Sequence, residues 1–257
     1  MSTANIDSKL SHLPPKSRQI VAGFAGDISE AFGNRLLALF LFGSAARIVK
    51  SGAPEDFKEG ASDINLAIVL DRVTTTELNL IANIGRKYQK GRLAIPLVFR
   101  GDHIVTSLDT FPLEFSDMKQ HHICLFGKDP LETAVIENTN LRHQCEVEFK
   151  GKLVQLRRGY MAAGEHRENL TELLSGSVSS IVTACRGLVR LKGQTPPDSV
   201  ADLLTLVGED YKVNVDAVER VWHLKRGEAE ESTATLQILF DNYLQALDSL
   251  ASLVDRM

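Results

Sequence analysis

The amino-acid sequence predicts an α+β fold, with a mixed β-sheet flanked by helices over residues 1–130 and an all-α helical bundle over residues 131–257. Leu36–Phe42 and Ile64–Leu70 are short apolar runs bounded by turn formers, the pattern of strands buried on both faces. Segments of helical periodicity precede and separate these runs. Beyond Gly127-Lys128-Asp129-Pro130 the periodicity is helical only, which sets the domain boundary near residue 130.

In chain order, Pro14-Pro15 introduces a helix over Lys16–Phe32, where Ile20, Val21, Phe24, Ile28 and Phe32 fall on one face and Gly33-Asn34 stops it. The first strand, Leu36–Phe42, follows directly. Ile48–Ala61 has no period and contains turn formers, so it reads as a surface loop. A second strand at Ile64–Leu70 leads to a helix over Thr74–Gln89 that opens on threonine caps. Leu93–Phe99 reads as a third strand, whose Pro96 suits a sheet edge or a bulge. Ser107–His121 reads as helix and Ile123–Phe126 as a short fourth strand.

In the second half, Cys145, Phe149, Leu153, Leu156 and Tyr160 trace one stripe of a long helix. Glu165–Lys192 carries a second such stripe. Pro196-Pro197-Asp198 opens a shorter helix, Val215–Arg226 forms another, and Thr233–Val254 ends the chain. Five amphipathic helices joined by short turns predict an antiparallel bundle, in which Trp222, the one tryptophan, serves as a packing anchor.

Hydrophobic residues at 44% and charged residues at 24% fit a folded globular protein and argue against disorder as the main state. A formal charge of -4 gives no overall attraction to nucleic acid or to an anionic membrane. The three cysteines, Cys124, Cys145 and Cys185, lack CxxC spacing and sit among apolar residues, so buried free thiols are expected. The first residues have no basic segment followed by an apolar core, and the apolar run Leu36–Phe42 is too short to span a bilayer. A cytoplasmic location is expected.

The chemistry concentrates at two strand ends. Phe42-Gly43-Ser44 closes the first strand, and Ser62-Asp63-Ile64-Asn65 opens the second. A Gly-Ser turn lets backbone N–H groups approach an anionic phosphate tail, and the serine hydroxyl adds a donor. Two acidic residues separated by one residue on a strand share a face and can grip a pair of Mg²⁺ ions. Arg47 follows the turn, with two roles open to it: a forked contact to phosphates, or an ion pair with Glu55, Asp56 or Glu59.

Phe42-Gly43-Ser44-Ala45-Ala46-Arg47 is similar to the Gly-Ser-x-Ala-Arg opening of the DNA polymerase β-like nucleotidyltransferase superfamily, and Ser62-Asp63-Ile64-Asn65-Leu66 to its Ser-Asp-Ile-Asp-Leu segment. The chain resembles the minimal bacterial form of that superfamily with a helical C-terminal domain, including the segment from Thr110 to Pro130 that closes the first domain. The resemblance covers roughly residues 35–130. It implies a nucleotidyltransferase-type sheet, a nucleoside triphosphate bound with Mg²⁺ through Gly43, Ser44 and Arg47, and Asp63 and Asn65 as metal ligands, Asp63 being the catalytic carboxylate. Three departures stand beside it. Ile48 occupies the place of a frequent glycine, Asn65 that of the second aspartate, and the third strand offers no acid.

Two functions are therefore carried forward. In one, the chain transfers a nucleotidyl group to an unidentified hydroxyl acceptor. In the other, it is a catalytically degenerate nucleotide sensor whose bundle contacts a protein partner or a second copy, as a homodimer. Glu114, Asp117 and His121, at i, i+3 and i+7, form either a replacement acid cluster or a solvated helix face, and Asp102 is another acid that could reach Asp63. Arg186 and Arg190 are one turn apart and either face a ligand cleft or serve solubility. An Arg-x4-6-His ribonuclease motif is not found, since Arg220 to His223 is too close and Arg158 to His166 too distant.

Overall fold

The structure, a computed structural model, describes residues 3–47, 57, 59–60, 62–164, 166–229 and 231–257. The loop expected at 48–61 lies largely outside the described residues. The chain divides into two compact units, Met1–Thr110 with Phe115–Val135, and Phe111–Glu114 with Ile136–Met257.

The first unit opens with α1 (Thr3–Lys9) and α2 (Pro15–Phe32), followed by β1 (Leu36–Phe42), β2 (Asn65–Leu70), α3 (Thr75–Arg86) and β3 (Leu97–Arg100). A single turn, α4 (His103–Thr106), precedes α5 (Pro112–Gln120) and β4 (His122–Gly127). The four strands form one mixed sheet in the order β3-β2-β1-β4, with β1 antiparallel to both neighbours and β2 parallel to β3. The parallel pair needs a crossover, and α3 supplies it.

Side-chain alternation splits the sheet into two faces. Leu39 and Leu41 of β1 and Leu66, Ile68 and Leu70 of β2 share a core with Val21, Phe24, Ile28 and Phe32 of α2 and with Ile81 and Ile84 of α3. The other face carries Phe40, Ala67, Val69 and Phe99, and Phe99 packs against Phe115 of α5 with ring centroids 6.0 Å apart. Burial along β1 departs from the expectation at Leu37, which is 42% exposed. At Gly127, the end of β4, φ is +79° and a Cβ would stand 1.9 Å from the Leu37 carbonyl oxygen, so only glycine closes this pair. Pro96 interrupts the expected third strand: Leu93 makes one isolated bridge to Ile64, and continuous pairing begins at Leu97 on the sheet edge.

α3 begins with a capping box, in which Glu77 accepts hydrogen bonds from the backbone and hydroxyl of Thr74. Arg35 adds a contact of 2.6 Å to the same carboxylate, which is nearly fully buried. Thr74's hydroxyl first, and Arg35 second, hold the Glu77 carboxyl down at about 2.

The second unit contains α6 (Asn138–Ala163), α7 (Arg167–Leu191), α8 (Val200–Tyr211), α9 (Asp216–Lys225) and α10 (Thr233–Asp255). Ser199 and Ser232 cap α8 and α10 through side-chain oxygens. The stripe on α6 packs as its spacing requires: Cys145, Phe149, Leu153 and Leu156 are buried, and Tyr160 stacks on Phe240 at 4.6 Å. Tyr243, fully buried on α10, bonds the Ser177 hydroxyl of α7 at 3.1 Å. Trp222 packs, partly exposed, against this core. Cys145 and Cys185 are buried here, and all three cysteines are free. Among the described residues, no helix is long and apolar enough to cross a membrane.

Candidate functional site

β1 delivers its last residue, Phe42, opposite Asn65, the first residue of β2. The chain then turns at Gly43, where φ is +75°, into a short 3-10 helix over Gly43–Ala46. A Cβ on Gly43 would stand 3.2 Å from Nδ2 of Asn65. Backbone conformation and close approach therefore both favour glycine here, and the Asn65 amide lies directly over the turn. His12 Nε2 meets the Ala45 carbonyl at 2.8 Å, and the Arg47 N–H donates to the Ser44 carbonyl at 3.3 Å, so the turn is held from both sides. The Ser44 side chain is half-buried beside it.

Asp63 is placed by the strand extension. The parallel bridge between Ile64 and Leu93 sets the preceding residues, Asp63 and Arg92, side by side. Ile64 N–H donates to the Arg92 carbonyl at 2.9 Å, and Ala94 N–H donates back to the Ile64 carbonyl at 3.0 Å. Arg92 has a left-handed backbone with φ at 66°, and its Nη2 contacts Asp63 Oδ1 at 2.9 Å. Both side chains are about half exposed, 48% for Arg92 and 58% for Asp63, so water screens the pair and an arriving anion can compete for the guanidinium. Because β1 ends where β2 begins, Gly43, Ser44, Asp63, Asn65 and Arg92 all lie at one end of the sheet. At the same end His122 pairs in register with Phe42, packs edge-on against Phe40 at 5.8 Å, and meets Asp129 Oδ2 at 2.7 Å.

Arg47 has a partner that neither of its two expected roles named. It is 8% exposed, and its Nη2 contacts Asp117 of α5 at 3.3 Å. Of its expected partners, Glu55 and Asp56 lie outside the described residues, while Glu59 accepts from the Ser17 N–H at 3.1 Å and from its hydroxyl at 3.2 Å. Of Glu114, Asp117 and His121, Glu114 is exposed, as a solvated face requires, and accepts from Gln144, while Asp117 is half-buried against Arg47 and His121 is 8% exposed. Asp102 is clamped by Arg100 at 2.6 and 2.7 Å. Arg186 is buried in the helical unit and donates to the Asp198 carbonyl at 3.3 Å. Arg92 was absent from the sequence reading because its link to Asp63 depends on the β2–β3 register, which no spacing along the chain displays.

The donor set does not fit a two-ion centre. Such a centre needs convergent carboxylates, and among the described residues no group of three His, Cys, Asp or Glu side chains is arranged to hold a metal. Asp63 shares its charge with Arg92, and Asn65 contributes an uncharged amide. What the arrangement offers is a glycine turn, a hydroxyl and a screened guanidinium at one sheet end. No protein-family model matches this chain, and no curated protein matches it significantly.

Proposed function

We propose that residues 1–130 form a nucleotidyltransferase-type domain that binds a nucleoside triphosphate at the Gly43–Ser44 turn, and that the chain acts as a nucleotide sensor rather than as a two-metal transferase. The observation that carries this reading is the left-handed Gly43, pressed against Asn65 at the same sheet end as Asp63 and Arg92. Backbone N–H groups of such a turn and the Ser44 hydroxyl suit phosphate oxygens. Arg92 offers a forked, permanently charged partner for the same tail. Mg²⁺ enters as the ion the nucleotide carries, held chiefly by its own phosphates. Binding without turnover is favoured over transfer by the Asp63–Arg92 pair and by the uncharged Asn65. In this reading the helical bundle relays the bound state to a protein partner or a second copy of the chain.

Equilibrium dialysis of the full chain with each labelled triphosphate, in Mg²⁺ and in EDTA, tests the proposal. Saturable binding of at least one triphosphate is expected, weakened in Ser44→Ala and Arg92→Gln. No label should appear on any acceptor after incubation with cell extract. Failure of all four triphosphates to bind overturns the reading, and Asp63-dependent labelling of an acceptor replaces the sensor with the transferase.

A further inference from the structure

The α/β unit has a hollow lined by none of Gly43, Ser44, Asp63 or Asn65. A groove of about 360 Å³ runs between α3 and β3, a volume within the range of small-molecule sites. Its floor is built from Ile81 and Leu93, 3% and 6% exposed, and Ile95 stands 87% exposed on its wall. Arg86 is the single charged residue among the described lining residues. Its guanidinium donates to the Asn83 side-chain oxygen, a neutral partner, and has no carboxylate partner among the described residues.

Gly85 adds an independent observation. It lies within α3 without a positive φ, and a Cβ there would meet nothing within 4 Å. Neither backbone conformation nor packing calls for glycine, which weakens a helix relative to alanine. Its missing side chain leaves open space in the groove wall beside Arg86. Addition of a protein strand at this edge is disfavoured, because β3 has only four residues, follows Pro96 and ends on Arg100.

An apolar trough with one cation at its rim matches an apolar chain that ends in one negative charge. We infer that this groove binds a medium-chain carboxylate, its acyl chain over Ile81, Leu93 and Val98 and its headgroup on Arg86. The Arg86 guanidinium exchanges the neutral Asn83 oxygen for a charged acceptor, while the chain removes Ile95 from water.

Octanoate titrated into the ¹⁵N-labelled full chain, with 1-octanol as the uncharged comparison, tests the assignment. Saturable shifts are expected at the amides of Gly85, Arg86 and Ile95. Arg86→Gln should weaken octanoate about tenfold or more, the scale of one charge-assisted hydrogen bond, and leave 1-octanol unchanged. Gly85→Leu fills the groove from a position with room for it and should abolish both while far-UV circular dichroism stays constant. Shifts elsewhere in the chain, equal weakening of acid and alcohol by Arg86→Gln, or undiminished binding to Gly85→Leu would each overturn the proposal. So would concentration-dependent dimerisation that Ile95→Ser removes, because the groove's occupant would then be a second copy.

Discussion

Replacing Gly43 with alanine separates the structural from the ligand-binding content of the proposed site. A left-handed backbone costs a side-chain-bearing residue about 1–2 kcal/mol. The new methyl would also meet Asn65 Nδ2 at 3.2 Å, tight enough that the amide must give way by a few tenths of an ångström. Asn65 is half-buried, so it has room to move at a cost of roughly 0.5 kcal/mol for an off-rotamer side chain. Together these give about 2 kcal/mol, which at a urea slope of about 2 kcal/mol/M moves the unfolding midpoint down by about 1 M. Asp63→Ala provides the contrast, because an exposed side chain in a screened pair changes stability by no more than about 0.5 kcal/mol. Urea unfolding followed by far-UV circular dichroism measures both, with triphosphate titration in parallel. Gly43→Ala should lose stability and binding together, whereas Asp63→Ala should keep the wild-type midpoint and, by releasing Arg92, should not weaken binding. Adding Asn65→Ala to Gly43→Ala should recover the contact portion of the loss and none of the backbone portion. A Gly43→Ala protein with the wild-type midpoint and wild-type nucleotide affinity would refute the reasoning, because neither the left-handed turn nor its approach to Asn65 would then matter.

Two further outcomes follow from buried groups. Glu77 has a folded-state value of about 2 against an ordinary 4.5, chiefly through the Thr74 hydroxyl and then Arg35, so its contribution is complete above about pH 4.5 and is lost as pH falls toward 2. Thermal midpoints recorded between pH 6 and pH 2 should fall across this window, and Glu77→Gln should flatten the fall; an unchanged slope in that variant would show that Glu77 is not the responsible group. Burial pushes the thiols of Cys145 and Cys185 up to about 12, while Cys124 is only partly buried. A disulfide exchange reagent should titrate Cys124 first in the native protein and all three thiols in urea, and equal native rates would contradict the packing of the helical unit.

The elements that read most clearly from sequence are those whose pattern is local. β1 occupies Leu36–Phe42, as its apolar run between turn formers predicted, and the stripe from Cys145 to Leu156 buries as its spacing required. The Thr-initiated helix gains its cap from residues three apart, also a local signal. Where contacts span the chain, the sequence was silent or misleading. The expected third strand contains Pro96, which lacks the N–H for the ladder, and so shrinks to an isolated bridge and a four-residue edge strand. α1 escaped notice because a seven-residue segment is too short to display a periodic face. At the site, Gly43 and Asn65 were legible as types, but their contact follows from the β1–β2 register. Arg47 shows the same limit: its contact with Asp117, 70 residues away, has no local signal.

The identity of residue 65 and the position of Arg92 become coherent once the charges at the sheet end are taken together. A carboxylate at 65 would lie over the Gly43 turn, where it would repel the phosphates the turn is suited to receive unless a cation stood between them. An amide occupies the same volume without that repulsion. Asp63, the remaining carboxylate, has its charge met by Arg92 at 2.9 Å, so these three side chains together are neutral without any metal. An amide in place of a carboxylate and a guanidinium beside Asp63 act in the same direction: each lowers the need for an ion to screen the site, and each weakens any grip on the second ion that in-line transfer requires. Both features are compatible with holding a triphosphate and unfavourable for breaking one, which is the charge argument behind the proposed binding without turnover.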